Sequence, residues 1–324
     1  MQVKVSVIIP FFNAANYIAN CVHCLFGQTL SETEFIFVND CSTDDSLIIL
    51  ENTIAIYFHR GRTVKIINHA ENKGAATARN SGLAHASGEC IGWLDSDDWI
   101  DTHLFEEMYS KLIQDEADIV WCDFYNTYHD REDYIRQEYS AKSHDCIKGL
   151  IKGDLMGGLC NKLVRRSVFT DHQIQFPDGM NMCEDLRVSV QLFYYAKRVS
   201  YLHAAYYHYV KYRADSISSS RVGSDQADQG WIENVKGIAA FVASKSDLAL
   251  SEEIQLLKLR PKKNLLVNGT TVAAYKTWRG IFPEANDFIW KTQLPAHYKV
   301  LAWCANHKLW APISLALWAK GWIR

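Results

Sequence analysis

Asp95, Asp97 and Asp98 stand directly after a short apolar run, Ile91-Gly-Trp-Leu94, that reads as a buried strand. Three carboxylates at a strand end repel one another unless something cationic lies between them. A divalent metal carrying a diphosphate is the natural candidate. The tandem Asp97-Asp98 could also be a capping turn for a helix starting near Asp101. Two features favour the metal: the apolar strand that delivers the carboxylates, and Asp40 at the end of a second such run, Phe35-Ile-Phe-Val-Asn-Asp40. A G-x-G-x-x-G turn after the first strand is missing, as is a P-loop. A nucleotide diphosphate would therefore be held through a metal, with carboxylates as ligands and basic side chains as helpers.

The elements that must position these groups alternate in period. Val3 to Pro10, Glu34 to Asp40, Val64 to Asn68, Ile91 to Asp95 and Asp118 to Phe124 read as strands. Asn16 to Gln28, a segment opened by Ser42, Ala75 to Ala86 and a segment capped by Asp101 or Thr102 read as the helices between them. Strands and helices in this order predict an α/β fold with a mostly parallel sheet covered on both faces. Ligands bind such sheets at the carboxyl ends of the strands. Pro10 to Asn13, Asp40 and Asp95 to Asp98 all fall there. Further along, Glu184 to Ala196 reads as a helix, Val199 to Tyr209 as a strand, and Lys211 to Arg221 as a mobile loop. From Trp231 onward the pattern is helical. The expected division is a catalytic domain over 1–222 and a helical extension over 223–324.

Several segments together resemble one family. Ser6-Val-Ile-Ile-Pro-Phe-Phe-Asn13 is similar to its opening strand and turn, and Phe37-Val-Asn-Asp-Cys-Ser-Thr-Asp44 to its second-strand motif. Asn72-Lys-Gly-Ala-Ala-Thr-Ala-Arg-Asn80, with Leu94-Asp-Ser-Asp-Asp98, resembles its helix and metal motif. Cys183-Glu-Asp185 resembles its catalytic pair. The family is the family 2 glycosyltransferases, inverting enzymes of the GT-A fold that use nucleotide-sugar donors. The resemblance runs over about residues 3–218 and leaves the remainder uncovered. It implies that Phe12 stacks on the nucleotide base and that Asp40 accepts from its N–H edge, which favours uracil. Pro10, Asn13, Asp44, Arg79, Asp95 and Ser96 would complete the nucleotide-sugar site. Asp97 or Asp98 would ligate Mn²⁺ or Mg²⁺, with the choice between them open. Asp185 would be the general base, with Glu184 orienting the acceptor. Leu186 departs from the aromatic residue the family often has there. His208, Lys211 and Arg213, near Ser216 and Ser218, are candidates for closing over the diphosphate, and Asn161 and Lys162 for the acceptor side.

Composition bounds the alternatives. The chain of 324 residues is 48% hydrophobic and 22% charged, an ordinary globular balance, with a net charge of -3. That charge hides an asymmetry: from Ser251 onward there are eleven basic and four acidic residues, so the first part is strongly acidic. An acidic catalytic part speaks against a nucleic-acid partner. Nine scattered cysteines suit a reducing cytoplasm, and Cys21 and Cys24 read as buried helix residues. Neither a leader nor an apolar run long enough to span a bilayer is visible. Six of ten tryptophans follow residue 250, among lysines, which suits an anionic bilayer surface and a lipid-linked or glycan acceptor at the inner face of the membrane. A helical cap or an oligomer interface is the plainer alternative for that segment. For the whole chain the alternatives are a nucleotidyltransferase, and a non-catalytic nucleotide-sugar or glycan-binding protein.

Overall fold

The apolar run near the start of the chain forms β1 (Val5–Phe11), buried along nearly its whole length. In the computed structural model, which describes residues 2–57, 61–137, 140–180, 182–212 and 225–322, this strand is central to the first part of the chain. It lies parallel between β2 (Thr33–Asn39) and β4 (Cys90–Trp93), with β3 (Thr63–Asn68) parallel outside β2. Parallel neighbours need crossovers, which α1 (Ile18–Phe26), α2 (Ser46–Ile56) and α3 (Ala75–His85) supply. Ile18, Cys21, Val22, Leu25 and Phe26 turn one face of α1 into the core. α3 approaches closely because glycine allows it: Gly82 lies against Ile8. Just past α3, a Cβ at Gly88 would come within 2.6 Å of the Ser6 amide nitrogen.

Beyond β4 the pairing changes. After β5 (Trp99–Ile100) and α4 (Leu104–Gln114) comes β6 (Ile119–Thr127), which β7 (Glu132–Ile135) doubles back to pair. After α5 (Ser143–Lys152), β8 (Lys162–Arg165) inserts antiparallel between β4 and β6. Following α6 (Arg166–Asp171) and α7 (Glu184–Tyr195), β9 (Val199–Val210) runs parallel to β6 and antiparallel to β5. The strand order is β3-β2-β1-β4-β8-β6-β9-β5. The α/β sheet is present as expected, but its second half is mixed because β8 enters against the direction of its neighbours.

Two helices start later than their cap residues suggest. The segment opened by Ser42 becomes helical only at Ser46, because residues 42–45 join the loops after β1 and β2. The Asn13 amide donates to Ser42 Oγ (3.0 Å), and the Thr43 amide donates to Asn13 Oδ1 (2.8 Å). α4 begins at Leu104 because Asp101 and Thr102 are engaged elsewhere. The Asp101 amide donates to the Tyr206 carbonyl and Thr102 O accepts from the Thr29 amide, each at 2.9 Å.

The chain divides into two compact units, 1–220 and 221–324. The second contains α8 (Asp225–Ala243), α9 (Ser251–Lys258), α10 (Lys263–Val267), α11 (Val272–Gly280), a 3₁₀ helix (Pro283–Lys291), α12 (Ala296–Asn306) and α13 (Trp310–Trp322). Leu257, Leu266, Tyr275, Trp278, Ile289, Ala302 and Ile313 are buried within it. Lys262 is buried too, donating to the carbonyls of Ile281 and Phe282 and to Asn286 Oδ1, beneath the Trp278 ring. Pro295 precedes α12 and Pro312 sits in the first turn of α13, where a missing N–H is harmless. Among the described residues, no helix is long and apolar enough to cross a membrane.

Candidate active site

β1, β2 and β4 run parallel, so the residues that follow them share one end of the sheet. The carboxylates there are organised by Arg79, a turn into α3 and only 8% exposed. Its guanidinium donates to Glu184 Oε1 (2.7 Å) and Asp95 Oδ1 (3.3 Å), and lies 3.3 Å from Asp185 Oδ1. Phe176 packs beneath it, 5.7 Å away. One buried cation thus gathers an aspartate from the end of β4 and two acids from the start of α7. Those acids also sit where the positive end of a helix dipole favours them.

Asp185 Oδ1 is buried and makes no hydrogen bond, although the side chain as a whole is 26% exposed. Burial pushes its carboxyl up to about 7; the neighbouring Arg79 opposes the rise, and Glu184 and Asp95 add to it. Beside it opens a cavity of about 290 Å³, lined by Arg79, Trp93, Asp95, Cys183, Asp185, Leu186, Tyr209 and the segment from Met156 to Cys160. Lys162 builds that wall. Its buried ammonium donates to the carbonyls of Met156 (2.7 Å) and Gly158 (2.6 Å) and to Asn161 Oδ1 (2.9 Å). Asn161 in turn donates to the Cys122 carbonyl. Both residues therefore hold the cavity wall from behind.

Asp97 and Asp98, adjacent in sequence, have different surroundings. Asp98 is 2% exposed, with Oδ1 accepting from the Val210 amide (2.8 Å) and Oδ2 from the Tyr207 hydroxyl (2.6 Å). Burial, with Asp97 and Asp95 nearby, holds its carboxyl well above the usual range. Asp97 and Ser96 are part-exposed. Among the described residues, no group of three or more His, Cys, Asp or Glu side chains is placed to hold a metal by itself.

On the β1–β2 side, Phe12 is 43% exposed, Asn13 is also exposed and Pro10 is part-buried. Asp40 is turned inward, accepting from the amides of Lys73 (2.9 Å) and Gly74 (2.7 Å) and pairing with His69 (2.7 Å). It thereby holds the turn that launches α3. Asp44 accepts from the Ala15 amide (3.1 Å) and from the Ser46 amide (3.0 Å) and hydroxyl. Asn13, Cys41 and Cys183 adopt left-handed φ of 50°, 62° and 68°, an uncommon conformation for residues with a Cβ. Asn13 and Cys41 follow β1 and β2, while Cys183 caps α7 and lines the cavity beside Asp185.

The closing candidates separate. His208 is buried away from the cavity, stacked on Trp99 and bonded to Glu132 (2.8 Å). Lys211 lies over the Tyr209 ring, while Arg213, Ser216 and Ser218 fall outside the described residues. Sequence reasoning missed Tyr207, Tyr209 and Trp93. Alternation along β9 was the available signal, since Tyr207 and Tyr209 share a strand face that His208 does not.

Residues 6–172 match the family model described as "Glycosyl transferase family 2". The chain belongs to that family. Among curated glycosyltransferase relatives, EpsH of Bacillus subtilis (strain 168) is 36% identical over 213 residues, covering 63% of this chain and 60% of EpsH. The chain thus spans less than two thirds of that relative's length. Among solved structures, S. aureus TarS 1–349 in complex with UDP-GlcNAc superposes with a TM-score of 0.66 at 21% identity, over 94% of this chain and 88% of that one. The mannosyltransferase PcManGT of Pyrobaculum calidifontis, in complex with GDP-Man and Mn²⁺, gives 0.54 at 14% identity, over 98% and 81%. These likenesses establish the GT-A fold for this family 2 chain.

Proposed function

We propose that the chain is an inverting glycosyltransferase, moving a sugar from a nucleotide-sugar to a hydroxyl of a glycan or lipid-linked acceptor. The observation that carries this reading is Asp185: a carboxylate on a cavity wall, beside a buried guanidinium, with its pKa raised to about 7. A general base is most effective when its pKa lies near the working pH. Asp185 takes the acceptor proton as the hydroxyl oxygen bonds to the anomeric carbon, and the bond from that carbon to the diphosphate breaks on the opposite face. A single base suffices, because no covalent intermediate forms. Glu184, bonded to Arg79, orients the site. Trp93, Leu186 and Tyr209 offer an apolar wall for a sugar ring.

For the donor, Phe12 stacks on the base, and Pro10, Asn13 and Ser96 line the nucleotide-sugar site. Asp40 and Asp44 shape it through the backbone they hold. A UDP-sugar is the favoured donor, supported by the UDP-GlcNAc complex of TarS. Mn²⁺ or Mg²⁺ fits the residues present: Asp98 is committed to β9, which supports Asp97 as ligand, with Asp95 nearby. Such ions use one or two carboxylates and complete their shell with substrate phosphates. A bound ion would offset the charge on the departing diphosphate. We assign catalysis to 1–222, with 223–324 as an extension, and the cytoplasmic face of the membrane as the place of work.

The test is release of free nucleotide from a panel of UDP- and GDP-sugars with Mn²⁺ or Mg²⁺, for the wild type and Asp185→Asn. Metal-dependent release by the wild type, lost in the variant while UDP still raises its melting temperature, supports the reading. Equal release by both removes Asp185 as base. Donor binding without turnover, with acceptors supplied, would instead mark a binding protein.

A further inference from the structure

Most large apolar side chains of the second unit are buried, yet a run near its end is not. Trp290 (51%), Val300 (48%), Trp303 (41%), Leu309 (41%), Leu315 (66%) and Trp318 (62%) are exposed. On α12, Val300, Trp303 and His307 stand at helical spacing on the face opposite buried Leu301, Cys304 and Ala305. On α13, Ala311, Leu315 and Trp318 are exposed while Ile313 is fully buried. Lys308 and Leu309, in the turn between the helices, are exposed as well. Lys299 Nζ donates to the Trp290 carbonyl (3.2 Å), and Lys276 lies 5.6 Å from the Trp310 ring.

Charge decides between possible occupants. After Asp287 the sequence contains no acidic residue, whereas Lys291, Lys299, Lys308, Lys320 and Arg324 are basic. Within α12, α13 and the turn between them every charged residue is basic, so a second copy docking through these helices would bring like charges together. A hydrophobic core is closed to these helices, whose 11 and 13 residues fall short of the ~20 that cross a bilayer. Asp287 bonds to Asn306 and Glu252 pairs with Lys291 alongside, but the two helices themselves have only basic charges. Exposed indoles and leucines on such helices suit the headgroup layer of an anionic membrane.

We propose that α12, α13 and the turn between them dock on an anionic lipid surface, with Trp303, Leu315 and Trp318 entering the headgroup layer. This makes specific the membrane contact of the proposed function but does not depend on catalysis. An inactive protein that binds vesicles leaves it standing, and an active one that ignores them removes it alone.

The test is co-sedimentation of the full chain with phosphatidylcholine vesicles, with and without phosphatidylglycerol. Binding should require phosphatidylglycerol and weaken as salt rises. Leu315→Ser with Trp318→Ser, and separately Lys276→Glu with Lys308→Glu, should each lower partitioning about tenfold or more. An unchanged melting temperature confirms that the variants fold. Binding indifferent to anionic lipid, or retained by the serine pair, overturns the proposal. So does concentration-dependent dimerisation in light scattering that the serine pair abolishes, which would assign the face to a second copy.

Discussion

Arg79 holds three acids that would otherwise repel one another, and each of its partners depends on it differently. Arg79→Met would leave Glu184 buried without its cation, and removing one partner of a buried pair costs about 3–5 kcal/mol. Urea denaturation should show a loss of that size together with loss of turnover. Asp185 behaves in the opposite way. Its raised pKa means that the folded state keeps a proton the unfolded chain has released, so this group lowers stability as pH rises from the ordinary carboxylate range through about 7. Asp185→Asn should therefore melt no lower than the wild type at pH 8 while losing transfer. In the wild type, kcat/KM should fall roughly tenfold per pH unit below about 7, as the base form is titrated away. A flat profile there would count against Asp185.

On the proposed function the short run after β4 serves two purposes, structural at Asp98 and metal-binding at Asp97. Asp98 ties this segment to β9 through Val210 and Tyr207, and the Tyr207 hydroxyl in turn accepts from the Asp95 amide (3.4 Å). Asp98→Ala should cost about 1–3 kcal/mol, since it leaves buried donors unpaired. Asp97→Ala should still fold cooperatively but abolish metal-dependent UDP binding by calorimetry. If the two outcomes were exchanged, Asp98 would be the ligand. The packing of α3 on β1 is a second test at this scale. A methyl at Gly82 would overlap Ile8 in a filled core, so Gly82→Ala should destabilise by about 1–3 kcal/mol in the same urea assay.

For the molecule as a whole, the reading predicts ligand linkage. UDP with Mn²⁺ at about 100 times its dissociation constant should stabilise by roughly 2.7 kcal/mol. A chelator should remove most of the resulting shift in melting temperature, because an ion held at Asp97 would take the remaining ligands from the diphosphate. A shift insensitive to chelation would argue for a donor held without metal. The uneven charge of the chain also has a consequence at this scale. The acidic first part and the basic segment beyond residue 250 should respond oppositely to anionic surfaces, with any attraction confined to the latter.

Much of the sheet was legible because its information is local. Apolar runs such as Val5 to Phe11 and Thr33 to Asn39, spaced by helical periods, are enough to place β1 and β2 and to bring Asp40 and Asp95 to one end. The convergence of Arg79, Asp95 and Asp185 was approached through motif resemblance, not through spacing, since more than a hundred residues separate Arg79 from Asp185. Three matters awaited the tertiary structure. The entry of β8 between β4 and β6 depends on long-range pairing that four residues do not encode by themselves. The burial of Asp98 depends on β9, more than a hundred residues away, which supplies it with the Val210 amide and the Tyr207 hydroxyl. The raised pKa of Asp185 depends on burial, which belongs to the packed molecule and to no residue in isolation.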